Sequence, residues 1–333
     1  MALFVFVVAV LAVLVLFTLY CEESQKLPKD SDHGLISRSE SRYATLSVFE
    51  KLGLSINECN TFRTFLDRFT TYDEVVGAIK KTGMVKSDLI IGIDFSASNE
   101  WQGRKCFAVK CLHDVSNSKL LNPYQRVLTI MASTMEQFDS DHLIPVFGFG
   151  DKSCRNDSVF SMAKDGKQCK GFAEVMESYA LHASSVELGG PTCLAPIIEQ
   201  AIEIVEEKKS YHILLVITDG QFSGDHEDVH AIIKASEYPL SIVIVGVGDG
   251  PWDVVQEYDD KLLARHFDNL QFVPYQDVVT NCLNPETALA LHILMEIPDQ
   301  YAAISALGYT TQGDTYMCTE KSEEFYTNGD VYL

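Results

Sequence analysis

The chain has 333 residues, with 26 Lys and Arg against 47 Asp and Glu, a formal net charge of −21. So acidic a chain lacks the basic stripe that phosphate binding needs, which excludes nucleic acid as a partner and a polybasic grip on anionic lipid. Its 20 Gly and 10 Pro exclude collagen-like and low-complexity classes.

Residues 1–21, MALFVFVVAVLAVLVLFTLYC, are apolar apart from Thr18 and contain neither Gly nor Pro. About 20 such residues cross the hydrocarbon core as a helix, so the block is expected to be a transmembrane anchor. A cleaved signal sequence is the competing reading. It wants a basic start and a small-x-small cut site; the block has no Lys or Arg, and Leu19-Tyr20-Cys21 offers no such site. Lys26, Lys29 and Arg38 follow the block, which by the positive-inside bias expects a single-pass membrane protein with its main domain in the cytosol. The odd count of nine cysteines agrees. Cys106, Cys193 and Cys282 sit in apolar patterns, as reduced buried thiols do. No CxxC pair occurs, so no zinc ribbon or RING is expected. Asn156-Asp157-Ser158 is a lone glycosylation sequon, which chance supplies easily.

Residues 22–41 are polar and aperiodic and read as a linker. Residues 42–84 read as helical, with Phe62, Phe65, Leu66 and Phe69 at helical spacing. Buried strands and amphipathic helices then alternate. Strands are expected at 88–94, 143–149, 211–218, 240–247 and 271–273, and helices at 124–138, 194–206, 229–236 and 285–297. Continuous Val/Ile/Leu strands alternating with helices predict an α/β fold: a doubly wound, mostly parallel sheet with helices on both faces, preceded by the N-terminal hydrophobic helix. Residues 42–308 form this domain, and 309–333 read as a loose polar tail.

In such sheets a ligand sits beyond the carboxyl ends of the strands, and acids stand there. Asp94-Phe95-Ser96-Ala97-Ser98 directly follows the first strand. Its positions i, i+2 and i+4 offer a carboxylate and two hydroxyls to one centre, a donor set suited to a hard cation such as Mg²⁺ or Mn²⁺, with Ca²⁺ a further candidate. Thr192 lies just before a helix, and Asp219-Gly220 follows the strand 211–218. Each piece has a plain structural alternative: Ser98 or Thr192 as a helix cap, and Asp219-Gly220 as an ordinary turn.

This arrangement resembles the metal-ion-dependent adhesion site (MIDAS) of von Willebrand factor A-type domains. Segments 94–101 (DFSASNEW), 122–125 (NPYQ), 145–151 (PVFGFGD), 190–198 (GPTCLAPII), 217–221 (ITDGQ), 241–252 (SIVIVGVGDGPW) and 295–301 (MEIPDQY) narrow the resemblance to the copine-type A domain. Trp101, 248–252 and 295–301 look most like the copine-like RING ubiquitin ligases. The resemblance implies that Ser96, Ser98 and Thr192 supply hydroxyl oxygens to a MIDAS cation. Asp94 and Asp219 would act directly or through water. An acidic side chain of a protein partner would complete the coordination. Copines carry β-sandwich modules before the A domain and the ligase relatives a RING after it. Neither is expected here: the residues before the A domain are too few for the former, and only Cys282 and Cys318 lie beyond residue 240.

Other chemistry is weaker. His226 and His230 at i, i+4 have zinc spacing, although Asp225, Glu227 and Asp228 beside them equally suit a helix N-terminus. There is no phosphate-loop, dinucleotide or nucleophile-elbow motif. Cys106 and Cys193 are weighed as nucleophiles against buried structural thiols. The expected function is a non-enzymatic, metal-dependent, membrane-anchored protein-binding module. A non-catalytic adaptor meeting ubiquitin-pathway proteins is the alternative, and a metal-dependent hydrolase the third reading.

Overall fold

Three apolar runs long enough to be wrapped on both faces make the centre of the molecule. In the computed structural model, which describes residues 65–309 other than 85, 109–110, 118, 140, 165, 221, 223–225 and 263, these are β1 (Asp88–Asp94), β6 (His212–Thr218) and β7 (Leu240–Gly246). Every residue of β6 and β7 is buried, as continuous Val/Ile/Leu strands without polar alternation must be. Shorter strands are β2 (Leu143–Ile144), β3 (Val146–Phe149), β4 (Phe160–Ser161), β5 (Cys169–Lys170) and β8 (Leu270–Pro274). The main sheet has the order β4-β3-β1-β6-β7-β8, parallel throughout except for the antiparallel edge strand β4. β2 and β5 form a separate antiparallel pair.

The helices are α1 (Tyr72–Lys81), α2 (Pro123–Met135), α3 (Gly171–Ala183), α4 (Ala195–Lys208), α5 (His226–Ala235), α6 (Asp253–Lys261), α7 (Tyr275–Asn281), α8 (Pro285–Leu294) and α9 (Ile297–Ala306). Strand alternation sends Leu89, Ile91 and Ile93 into one core, with Val75 of α1, Val127 of α2, Val175 of α3 and Leu289 of α8. Ile90 points the other way, into a second core built by Ile197 of α4, Ile232 of α5 and Val255 of α6. This is the doubly wound, mostly parallel α/β architecture expected from the sequence.

Several boundaries differ for local reasons. The expected helix over 42–84 is interrupted before Tyr72, where Thr71 and Glu74 form a capping box that starts α1. The expected strand 143–149 is two pieces separated by Pro145, which has no N–H to give a ladder. The expected closing helix 285–297 stops at Leu294 as α8, and α9 begins at Ile297 with Pro298 in its first turn. Helices α3, α6, α7 and nearly all of α9 fall where no helix was expected.

The single-pass membrane reading is corrected. Among the described residues no helix is long and apolar enough to cross a membrane. The longest, α4, has 14 residues, where a crossing needs about 20. The apolar block 1–21, the linker 22–41 and the tail beyond residue 309 lie outside the described residues. The cysteine expectation is also revised: Cys193 is buried and Cys282 half-buried, but Cys106 is exposed.

Candidate metal centre

The strand order reverses beside β1: β3 lies on one side and β6 on the other, both parallel to it. A reversal leaves a crevice at the carboxyl end, between loops that depart in opposite directions. Asp94 is the last residue of β1, and Asp219 directly follows the last residue of β6. Both are fully buried.

Three loops meet there. The first turns through Ser96 into a short 3₁₀ helix (Ala97–Glu100). Ser96 N–H donates to Asp94 Oδ1 at 2.8 Å, and the Ser96 and Ser98 hydroxyls lie 2.9 Å apart. The second loop runs beside the first: Ser96 and Gly189 form a parallel bridge, Gly189 N–H donates to Phe95 O, and Ala97 N–H donates to Gly189 O. Thr192 follows in that loop and bridges to Phe222 of the third. The third loop ties back to the first, because Thr218 Oγ1 donates to Asp94 Oδ2 at 2.6 Å. Asp94, Ser96, Ser98, Thr192 and Asp219 all stand on these linked loops, each no more than 8% exposed.

Two of the plain alternatives fail. The N-terminus of α4 is capped by Asp228 of α5, whose Oδ1 accepts from Leu194 N (2.6 Å) and Ala195 N (2.9 Å), not by Thr192. The Ser98 hydroxyl faces Ser96. The Asp219-Gly220 turn is real, with Gly220 at φ +80°, but it is also a tight fit. A Cβ on Gly248 would stand 2.5 Å from Asp219 O, so the loop after β7 presses directly on the acid's backbone.

The electrostatics suit a cation. Burial pushes the Asp94 carboxyl above its ordinary range, against hydrogen bonds from Thr218, Ser96 and the Asp219 backbone. None of these influences is a basic side chain. A buried carboxylate held by neutral donors lacks a counter-charge. Two carboxylates and three hydroxyls form an all-oxygen set suited to a hard divalent ion.

Beneath the loops lies a polar network. His113 Nε2 bonds to Asp94 O at 2.8 Å and Nδ1 to Tyr179 Oη at 2.9 Å. Its ring stacks between Phe95 (4.6 Å) and Tyr124 (4.2 Å). Tyr124 Oη donates to Asn99 Oδ1 at 2.8 Å, and Asn122 Nδ2 donates to Tyr179 Oη at 3.0 Å. Burial pushes His113 down to about 4. Sequence reasoning missed Thr218, His113, Asn99 and Tyr179 as parts of the site. Only Thr218, adjacent to Asp219, carried any local signal.

The remaining candidates part company with the site. Among the described residues, His226 and His230 do not gather with acids into a group that could share an ion. They line a surface recess with Asp157, Glu199 and Glu227. Burial and Asp228 push the Cys193 thiol up to about 12, and burial and Asp249 push Cys106 up to about 11. Neither is poised as a thiolate.

The copine family pattern matches residues 111–312. The chain belongs to the copine family. It is 44% identical over 262 residues to the E3 ubiquitin-protein ligase RGLG5 of Arabidopsis thaliana, covering 74% of this chain and 60% of that protein. It is 36% identical over 293 residues to copine family protein 1 of Caenorhabditis elegans, covering 85% of this chain and 26% of that one. The chain thus spans less than two thirds of these relatives. Among solved structures, proximal thread matrix protein 1 from the mussel byssus with a zinc-occupied MIDAS motif is 16% identical, with a TM-score of 0.39, over 66% of this chain and 46% of that one.

Proposed function

We propose that this copine domain is a metal-dependent protein-binding module in which Asp94, Ser96, Ser98, Thr192 and Asp219 hold Mg²⁺ or Mn²⁺. The observation that carries the reading is the joining of three loops, by Ser96 to Gly189, Thr192 to Phe222 and Thr218 to Asp94, at the strand-order reversal. The bound cation supplies positive charge that an acidic side chain of a partner protein completes. The chain's own residues do the positioning. Thr218 and Ser96 orient the Asp94 carboxylate, and His113 and Tyr124 fix its backbone carbonyl. Trp101, three residues beyond Ser98 and 47% exposed, is a contact surface for the partner at the rim.

The same arrangement favours binding over catalysis. Both ring nitrogens of His113 are engaged by Tyr179 and Asp94 O, so the imidazole is not directed at an incoming substrate as a general base would be. The test is a pull-down with the full chain, wild type against Asp94→Ala, in Mg²⁺ and in EDTA. Capture of an acidic partner should need both the metal and Asp94. Undiminished capture in EDTA would sink the reading.

A second reading rests on the 41–45% identity to plant proteins named as E3 ubiquitin-protein ligases. In it the domain is a non-catalytic adaptor that presents a substrate to ubiquitin-pathway proteins. The chain incubated with E1, E2 and ubiquitin is then expected to form no chains alone; autoubiquitination would overturn the non-catalytic assignment.

A further inference from the structure

The segment that leaves the first metal loop stays beside it. Trp101 N–H and Gln102 N–H both donate to Ser98 O, at 2.9 and 3.0 Å, and Arg104 N–H and Phe107 N–H donate back to Trp101 O and Gly103 O. These turns bring the chain to the loop after β7. There Asp249 Oδ2 accepts from Lys105 N at 2.9 Å, and Asp249 Oδ1 accepts from Cys106 N at 2.9 Å. Asp249 directly follows Gly248, where a Cβ would stand 2.5 Å from Asp219 O. Residues 101–107 therefore run along the rim, from the loop of Ser98 to the loop that presses on Asp219.

This stretch of rim carries the charge that the rest of the chain lacks. Arg104 and Lys105 are adjacent and both exposed, in a chain of net charge −21. Elsewhere on the surface Lys152, Lys164 and Lys261 pair with Glu187, Glu177 and Glu257. Among the described residues neither Arg104 nor Lys105 has an ion-pair partner. Asp249 does not supply one, because its two oxygens are committed to the backbone N–H groups of Lys105 and Cys106. Glu100, the acid of this segment, lies on the other side of Trp101 in the chain. Two cations are thus held at the rim and left open to an incoming anion.

A carboxylate anchored at the metal centre brings its own chain down onto this rim. The second contact is then intramolecular, so an exposed ion pair that is weak between free partners adds to affinity. Arg grips a carboxylate through two parallel N–H···O bonds, and Lys adds a point charge beside it. The exposed ring of Trp101, between Ser98 and Arg104 in the chain, offers apolar contact to the residues in between. We propose that Arg104 and Lys105 form a second subsite for an acidic residue. The partner is then a protein segment with two acids, one for the cation and one for this basic pair. The proposal rests on the reading of the Asp94 centre as a cation that takes an acid, and it names the partner such a centre selects.

The experiment is fluorescence anisotropy of labelled Gly/Ser peptides with the full chain at low salt, in Mg²⁺ and in EDTA. One peptide carries a single Asp. A second set adds another Asp, and a third adds a Lys, at each successive position on either side of it. Wild type should bind the best two-Asp peptide about three- to tenfold tighter than the single-Asp peptide, and no Asp–Lys peptide tighter than it. The gain should shrink as salt is raised. Arg104→Glu/Lys105→Glu should invert the order and favour Asp–Lys over two-Asp peptides, which loss of folding cannot do. If that pair loses all binding, Lys105→Glu alone is read in the same way. No gain from a second Asp in wild type, or the same order of peptides in the reversed variants, overturns the proposal. Metal-dependent binding without the gain would remove the basic subsite and leave the Asp94 reading. A gain that persists in EDTA and inverts with the charge would do the reverse.

Discussion

Thr218 Oγ1 donates to Asp94 Oδ2 across 2.6 Å, joining the last residue of β6 to the last residue of β1. The same hydroxyl accepts the Gly220 N–H at 3.0 Å. One side chain therefore fixes both the acid of the first loop and the turn that carries Asp219. Neighbouring parallel strands end side by side, so their terminal residues are placed to do this without any long connection.

Thr218→Val keeps the shape of the residue and removes the hydroxyl. It leaves Asp94 Oδ2 and the Gly220 N–H without this partner. Expected are a stability loss of about 1–3 kcal/mol and Mn²⁺ affinity at the Asp94 site lower by about tenfold or more. Thermal unfolding and Mn²⁺ titration measure the two. Unchanged Mn²⁺ affinity would show that Thr218 does not position Asp94 for the ion.

Gly248→Ala tests the loop from behind. The added methyl would meet Asp219 O at 2.5 Å, against backbone that cannot swing aside. An overpacked contact of this kind costs about 1–3 kcal/mol. Displacement of Asp219 should also weaken Mn²⁺ binding, while Gly77→Ala, where a Cβ meets nothing within 4 Å, should leave it alone. Equal effects from the two variants would remove the argument for close approach at Gly248.

Much of the fold was legible because the signals are local. Buried parallel strands announce themselves as unbroken Val/Ile/Leu runs, and β1, β6 and β7 fall within one residue of their expected ends. The five proposed site positions stand out in the sequence as polar residues at strand and loop ends, and the fold brings their loops together. The support beneath them was not. His113, Tyr179 and Asn122 come from separate stretches, and nothing near His113 in the chain marks it as the bond to Asp94 O. The cap on α4 was illegible for the same reason: Asp228 reads as an acid at the start of its own helix, yet it serves the neighbouring one. Asp88 and His212 meet only because strand register brings them together.

Trp101 separates partner binding from ion binding. The ring is exposed and lies close to Ser98 in the chain, and it is not one of the five proposed oxygen donors. Trp101→Ala is expected to leave Mn²⁺ affinity unchanged and to lower metal-dependent capture of the partner by about tenfold, as loss of an aromatic anchor does. Capture equal to wild type would remove Trp101 from the interface.

Asp259 on α6 gives the molecule a pH response away from the proposed cation site at Asp94. Burial, and then the Asp268 carboxylate, push the Asp259 carboxyl up to about 8. Burial and the Asp259 charge also raise Glu296. The folded protein therefore keeps a proton on Asp259 at pH values where the unfolded chain, titrating near the ordinary 3.8, has released it. Folded protein binds more protons across that window, so stability is full below about pH 4 and declines as pH rises toward about 8. Buried His292, pushed down to about 4, slopes the opposite way between 4 and its ordinary 6.5, so the Asp259 effect is read as a difference between proteins. Asp259→Asn cannot ionise. Its melting temperature should match wild type near pH 4 and exceed it by a growing margin up to pH 8. Parallel melting curves for the two proteins from pH 4 to 8 would mean that Asp259 keeps an ordinary carboxylate pKa in the folded state.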